Sequence, residues 1–518
     1  MKKLITALVL IALLVTPLIG QGRTESADKP VTIELWYGAA MTEAGPIPED
    51  WVGFDLIREK LNINLKLSAV PSNPNDQDMK IQAAAAGNNL PDVFFVSRPV
   101  LLNLVKQGLV ANLDNFYEMM PNRTARYHDE HSIKFSTING SNWGMSVPAS
   151  VEGQEALVIR KDWLDNLGLD VPTNLDELFE VLRAFTFDDP DGNGKHDTFG
   201  FGAFLENDAT FKGYPGSRFW PIMGAFGVTG MWQFDEQNLG LAIYKEGFYD
   251  FMVYMKKIID AQVIDPNWLA YKKDDFRAAW KQGKFGVMYE QWVALSGESN
   301  YLPFDLNFPE GEWVVVDAPM GPTGEQAVGS LDMGYRIYAV SQKAVNQGKL
   351  EAIARLFDWM GTDEAYYLLG YGTLGKNYVL DESGQPSAGN LGDNSFLGPI
   401  GQVQTQLRNN VFLNTDEEIL VRFPDYVARN SKKAMSPLSY RTAMAEQPWK
   451  LAVGSGSMPV PSNDVQRYYE QSLAEFLTGR KQLTRANWQS FIDQFNKMGG
   501  KEWNDAGVAY MRENSLVQ

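Results

Sequence analysis

The chain has 518 residues, more than one ordinary hydrophobic core organises, so two lobes or domains are expected. Its 46 Lys and Arg against 64 Asp and Glu give a net charge of −18, which speaks against nucleic acid or an anionic membrane surface as partner. No cysteine is present, which excludes disulfides, thiol catalysis and cysteine zinc sites, and a lipidated cysteine is not expected.

The first residues read as an export signal over residues 1–22. Lys2 and Lys3 precede an apolar run from Leu4 to Leu18, and Gly20-Gln21-Gly22 offers small residues for cleavage before Arg23. The competing reading is an uncleaved anchor, for which the run is short against a span of about 20 residues. Leu18-Ile19-Gly20 resembles the start of a lipoprotein cleavage box, with Gln21 where the lipidated cysteine would stand. A free protein in a periplasm or equivalent extracytoplasmic space is expected.

After a polar linker, Val31 to Tyr37 alternates as a strand should. Trp51 to Leu61 reads as a helix, Ile63 to Val70 as a strand, Asp78 to Ala86 as a helix stopped by Gly87, and Val93 to Val96 as a short apolar strand. Leu101 to Lys106 is a further helix. This β-α-β-α rhythm predicts a parallel α/β sheet with right-handed crossovers. Two of the three histidines, His128 and His131, lie three apart in a polar segment and are better read as a solvated surface than as a metal pair; the third is His196. Gly144 to Pro148 looks like a strand crossing between lobes.

A second lobe opens with a strand from Ala156 to Arg160 and a helix from Asp162 to Leu167. Asn174 and Glu177 have capping-box spacing ahead of a helix carrying Leu175, Leu178, Leu182 and Phe185 on one face. Helices over Phe248–Ile259 and Phe276–Lys281 and strands over Phe285–Tyr289 and Tyr335–Val340 follow. The C-terminal third is mostly helical, most clearly at Val465–Leu477 and Trp488–Lys497.

Between the Leu175 helix and the next strand lies an acidic loop with calcium-ligand spacing. Asp189, Asp191 and Asn193 occupy positions one, three and five, Gly194 the sharp turn at six, the Lys195 carbonyl seven and the Asp197 carboxylate nine. Position twelve is Gly200 in place of a bidentate Glu, which weakens the donor set. A structural Ca2+ is expected here; the alternative is an Asp/Asn/Gly turn without metal.

Several segments coincide with a known family. Gly87-Asn-Asn-Leu-Pro-Asp92, Arg160-Lys-Asp-Trp-Leu164, Asp189 to Asp197, Tyr371-Gly-Thr-Leu-Gly375, and Leu477-Thr-Gly-Arg with Trp488 together resemble the extracellular solute-binding proteins of family 1. These are the substrate-capture components of ABC importers, with an oligosaccharide- and alginate-binding subgroup. The resemblance implies an α/β, two-lobed periplasmic-binding-protein-like fold of type II. Its lobes would be discontinuous, with a ligand cleft between them and a helical C-terminal region, and they would close by hinge motion. On this reading the first lobe spans 23–149 plus 329–375 and the second 150–328 plus 376–518. Crossings are placed near Pro148–Val151, Gly329–Asp332 and Gly372–Lys376. The implied partners are a carbohydrate and a membrane permease, and a monomer is expected.

Sugars stack their CH faces on aromatic rings, and ligands in α/β sheets sit beyond strand ends. The candidate ligand contacts are therefore Trp36 and Tyr37, Ser97 and Arg98, Trp220, Glu290 and Trp292, Asp332 and Tyr335, and Tyr371. For each aromatic, core packing is an equal alternative. Trp163 and Trp488 read as packing residues. Arg98 would pair the carboxylate of an acidic sugar or cap a local acid. A secreted glycoside hydrolase or lyase would need a carboxylate pair beside an aromatic platform, and no segment isolates one. A ligand-binding sensor accessory stays open as a variant of the capture reading.

Overall fold

The structure is a computed structural model. It describes residues 29–518 apart from 42–43, 72–73, 128–132, 134–135, 147–152, 206–212, 332–336, 452–457, 514–515 and 518. The export-signal call, His128, His131, Asp332 and Tyr335 lie outside the described residues. Among the described residues no helix is long and apolar enough to cross a membrane.

The N-lobe is built on a five-stranded sheet. Val31–Gly38 pairs in parallel with Ile63–Val70 and with Val93–Val96. Ile337–Val340 then runs antiparallel to Val93–Val96 and to Met145–Ser146. The predicted parallel rhythm thus holds for the first three strands, and the two strands that adjoin the crossings reverse it. Ile33, Leu35 and Tyr37 enter the core, while Glu34 and Trp36 between them stay half-buried on the other face.

The lobe closes around the return segment. Asp92, just before its strand, accepts from the Glu34 backbone N–H (2.8 Å) and from Lys349 Nζ (2.9 and 2.8 Å). It therefore ties chain from both sides of the C-lobe excursion into one lobe.

The C-lobe sheet has four strands. Glu155–Arg160 pairs antiparallel with Phe285–Gln291 and with Trp313–Val315, and Phe199–Gly202 runs parallel to Phe285–Gln291. Both faces are covered. Leu157 and Ile159 face one core with the C-terminal helices, whereas Ala156 and Val158 face the other with Phe276, Trp280 and Phe304. Burial on both faces explains why this strand reads as an unbroken apolar run.

Arg160, from the Arg-Lys-Asp-Trp-Leu segment, is buried at the strand's end. Its guanidinium donates to Asp162 and lies over the rings of Trp163 (4.6 Å) and Phe304 (5.1 Å). That segment is a structural lock. Asn174 caps its helix as expected, accepting from the Asp176 and Glu177 N–H groups. The Glu177 carboxylate instead accepts from Thr173, one residue earlier than a capping box requires.

Met145–Ser146 of the N-lobe sheet and Glu155–Arg160 of the C-lobe sheet flank the first expected crossing, and Gly329–Leu331 and Ile337–Val340 flank the return; Pro148–Val151 and Asp332 lie outside the described residues. The third expected crossing, near Gly372–Lys376, is not one. Tyr371, Tyr378, Phe396 and Phe412 pack together in the N-lobe core, with Tyr371 ring centroids 5.2 Å from Phe396 and 5.1 Å from Phe412. The N-lobe therefore continues through about Phe412 instead of ending at 375. The helix Asp416–Arg422 makes the passage: Val421 packs on the N-lobe core, Ile419 belongs to the C-lobe core, and Glu418 accepts from Tyr366 Oη (3.0 Å).

Asp92→Ala should destabilise by roughly 3 kcal/mol, because it leaves an ammonium and a backbone donor without their anion. Urea unfolding of the two proteins checks this; a change below about 0.5 kcal/mol would contradict the assigned role.

Candidate functional site

The chain enters the C-lobe sheet at Glu155 directly from the first crossing. Glu155 pairs with Gln291, so the Glu290–Gln291 end of that strand lies beside this entry point. A charged network occupies this end. Arg218 is buried; it donates to Glu155 Oε1 (2.7 Å) and to the Tyr289 carbonyl (2.8 Å), and lies over the Tyr289 and Phe204 rings. Arg277 donates to both Glu290 oxygens (3.0 and 2.9 Å) and to Gln291 Oε1 (3.2 Å). Burial pushes the Glu290 carboxyl up, but Arg277 and Arg218 outweigh it and hold it below its usual range.

The crossings converge beside this end. Gly329–Leu331 pairs in parallel with Trp449–Leu451. A Cβ on Gly329 would sit 2.5 Å from the Trp220 ring and 3.0 Å from the Trp449 ring, and one on Gly153 would sit 1.8 Å from Trp449 Nε1. Next to this ribbon a pocket of about 490 Å³ is lined by Thr229, Gln233, Asp235, Ser330, Trp449 and Lys450, among others. Thr229 and Ser330 hydroxyls are bonded at 2.7 Å, and Lys450 Nζ donates to the Gly227 carbonyl (2.9 Å). A tryptophan among hydroxyl, amide and charged groups suits a saccharide.

The N-lobe contributes Arg98. Its guanidinium donates to Tyr510 Oη on the C-terminal helix Gly500–Glu513 (2.9 Å), a contact between the lobes. Ser97 caps the helix Arg98–Lys106 by accepting from Val100 N–H. Burial pushes the neighbouring Asp78 carboxyl up, partly offset by a hydrogen bond from Ser97.

The candidates therefore divide. Ser97 and Arg98 lie at the start of the helix that meets the C-terminal helix, and Trp220 packs on the C-lobe core beside Gly329. Trp36 is half-buried, with Lys80 over its ring (4.4 Å) and its Nε1–H on Glu34 (2.9 Å). Four calls are corrected. Tyr37 and Tyr371 are each 1 % exposed in the N-lobe core, and Trp292 is a core residue set edge-on to Phe423 (5.0 Å). Glu290 is 1 % exposed and committed to Arg277. Reasoning from strand ends missed Thr229, Gln233, Ser330, Trp449 and Lys450. Trp449 carries the one available signal, a tryptophan after a proline late in the chain.

The acidic loop is folded as a tight nest of its own groups. Asp189 accepts from the Asn193 and Gly194 N–H groups (3.1 and 2.9 Å), and Asp189, Gly192 and Gly194 all have positive φ. Asn193 Nδ2 donates to Asp191 Oδ2 (2.9 Å) and Asp197 Oδ1 (3.2 Å), so an amide stands between carboxylates. Burial, and then the nearby Asp189 and Asp197, push the Asp191 carboxyl up. Among the described residues no three acidic or histidine side chains are gathered closely enough to hold a metal as they stand. The oxygen donors nonetheless suit a hard cation if the Asn193 amide turns its oxygen inward. Position twelve cannot contribute, because a Cβ on Gly200 would lie 2.3 Å from the Leu182 carbonyl oxygen.

A family model described as "Bacterial extracellular solute-binding protein" matches residues 42–367, more than half of the chain. The polygalacturonan/rhamnogalacturonan-binding protein YtcQ of Bacillus subtilis is 28% identical over 328 residues, 62% of this chain and 62% of the relative. The chain thus matches less than two thirds of that relative's length. Among solved structures, an HMO-binding, ABC-transporter-associated solute-binding protein from Bifidobacterium longum infantis has a TM-score of 0.66 at 16% identity, covering 94% of this chain and 99% of that one. A Streptococcus pneumoniae FusA EF-hand mutant in complex with fructo-nystose has a TM-score of 0.64 at 16% identity, covering 94% and 100%. These likenesses show the two-lobed fold.

Gly200→Glu, which restores the twelfth ligand of the calcium pattern on paper, should destabilise by about 1–3 kcal/mol because the side chain overpacks against Leu182. Urea unfolding in millimolar calcium checks it; a gain in stability would contradict the packing argument.

Proposed function

The chain belongs to the bacterial extracellular solute-binding protein family, and on that premise we propose that it is the extracytoplasmic capture subunit of an ABC importer for an oligosaccharide. The observation that carries this reading is the pocket beside the hinge ribbon, where Trp449 lies among Thr229, Gln233 and Ser330 at the meeting point of the crossings. Closure would bury the sugar between the lobes, and the permease would read the closed surface. The glycan-binding descriptions of the relatives support the same ligand class. The family is one of binding proteins. The charged groups here agree with that role, since Glu155 and Glu290, the two carboxylates at this end of the sheet, are each tied to an arginine and do not form a free acid–base pair.

A panel of neutral and acidic oligosaccharides should include members that raise the melting temperature by several degrees without being cleaved. Differential scanning fluorimetry with product analysis checks both points. Silence across the panel alongside a response to peptides or amino acids would defeat the sugar assignment, and released product would favour the hydrolase or lyase reading.

We also propose that the acidic loop binds calcium as a staple between the helix Leu175–Phe187 and the strand Phe199–Gly202. Asp189, Asp191, Asn193, the Lys195 carbonyl and Asp197 would hold the ion. Moving the protein from chelator to millimolar calcium should raise the melting temperature, and Asp189→Ala should abolish that rise. An identical melting curve in both conditions would contradict the proposal.

A further inference from the structure

The C-terminal helix Gly500–Glu513 touches the C-lobe core, the pocket wall and the N-lobe. Its inner face, Trp503, Gly507 and Met511, is buried, with Trp503 and Met511 in the C-lobe core. One edge lies on the hairpin formed by Trp232–Gln233 and Gly240–Leu241, whose Trp232 and Gln233 line the pocket beside the hinge ribbon. The seat is tight. Trp503 meets Trp232 edge-on (5.6 Å), Asn504 Oδ1 accepts from the Leu241 N–H (2.9 Å), and Arg512 pairs with Glu236 in the hairpin's turn (2.7 Å). A Cβ on Gly507 would stand 2.1 Å from the Trp232 ring, so this approach requires glycine. Helix and hairpin are packed as one body.

Tyr510 follows Gly507 by one turn, so its hydroxyl is carried on that body. Across the lobe boundary Arg98 Nη2 donates to Tyr510 Oη (2.9 Å). Arg98 is fixed as firmly on its own side. It opens the helix Arg98–Lys106, whose Val100, Leu101 and Leu104 lie in the N-lobe core, and it is itself buried. A hydrogen bond between two such bodies forms when the lobes come together and is lost when they part. Its acceptor is a neutral phenol, so on opening Arg98 exchanges one hydrogen bond for water without leaving an anion behind. Such a contact holds a population of closed molecules and does not commit them all.

We propose that Tyr510 and Arg98 form a closure latch. The C-terminal helix is a strap seated on the pocket's own hairpin; it populates the closed arrangement before any ligand arrives. Because hairpin and strap move together, a shift of the pocket wall is passed directly to the contact with the N-lobe. The inference goes beyond the oligosaccharide reading and does not depend on the identity of the ligand.

Pulsed electron–electron double resonance on the ligand-free full chain tests this. The chain has no cysteine, so spin labels at Lys106→Cys and Asp493→Cys report alone. They lie on the helices Arg98–Lys106 and Arg485–Lys497, one in each lobe. The labelled parent should show a short-distance population beside a longer one. Tyr510→Phe keeps the ring and removes the hydroxyl; it should lower the short-to-long ratio about tenfold, as expected for one hydrogen bond to a charged group. Arg98→Met should do the same from the other lobe, and the two together should lower the ratio no further than either alone. Gly507→Ala, which forces the helix off Trp232, should deplete the short population with both latch residues in place. Matching melting temperatures would show that the variants fold. An unchanged ratio in Tyr510→Phe or Arg98→Met overturns the inference, as does a parent without a short-distance population. Additive losses in the double variant would mean that the two residues act separately, and overturn it too. An unchanged ratio in Gly507→Ala overturns the link to the pocket hairpin.

Discussion

Trp449 leaves no room for a side chain on either of the crossing segments that flank it. A Cβ at Gly153 or Gly329 would come closer to its indole than van der Waals contact allows, at 1.8 and 3.0 Å respectively. The ring is held in place by its Nε1–H, which donates to the Met444 carbonyl (2.9 Å). Two crossings are thus pressed against one rigid plate, and the ribbon of Gly329–Leu331 with Trp449–Leu451 gives that plate a backbone. Rotation of the lobes about such a point moves cleft surfaces far and hinge atoms little. The pocket lies beside this point, so its lining would keep its shape while the opposite lobe approaches.

The C-lobe, whose core also holds part of the pocket lining, supplies the stiffness behind it. Its sheet is packed on both faces, and Arg160, Arg218 and Arg277 lock its strand ends through ion pairs and ring faces. Buried pairs of this kind add little net stability but fix geometry, since either partner alone would be a costly uncompensated charge. The N-lobe answers with Arg98, which already reaches across to Tyr510. A polar bridge between lobes can be exchanged for contacts to a ligand at small net cost. Capture as proposed would draw on a rigid wall, a plate-like hinge and an exchangeable latch.

Much of the scaffold was legible in the sequence because its signals are local. The strands Ile63–Val70 and Val93–Val96 lie where alternation and apolar runs place them, and the two-lobed architecture follows from ordered motifs. The third crossing was misplaced because Tyr371-Gly372 looks like an element boundary and is one. What keeps the chain in the N-lobe beyond it is an aromatic cluster with Tyr378, Phe396 and Phe412, and such long-range packing has no sequence period. The site suffered the same way. Tyr37, Trp292 and Tyr371 follow strands or helices as ligand-binding aromatics would, yet they fill the core. Glu290 is neutralised by Arg277, thirteen residues earlier on a helix whose rotation only the fold reveals.

Closure about the Trp449 ribbon is the central claim, and small-angle X-ray scattering reads it directly. The full chain would be measured alone and saturated with whichever glycan binds most tightly. A smaller radius of gyration on saturation, with a single fixed-volume particle in both states, is the predicted result. Superimposable scattering curves from the free and saturated protein would contradict the account.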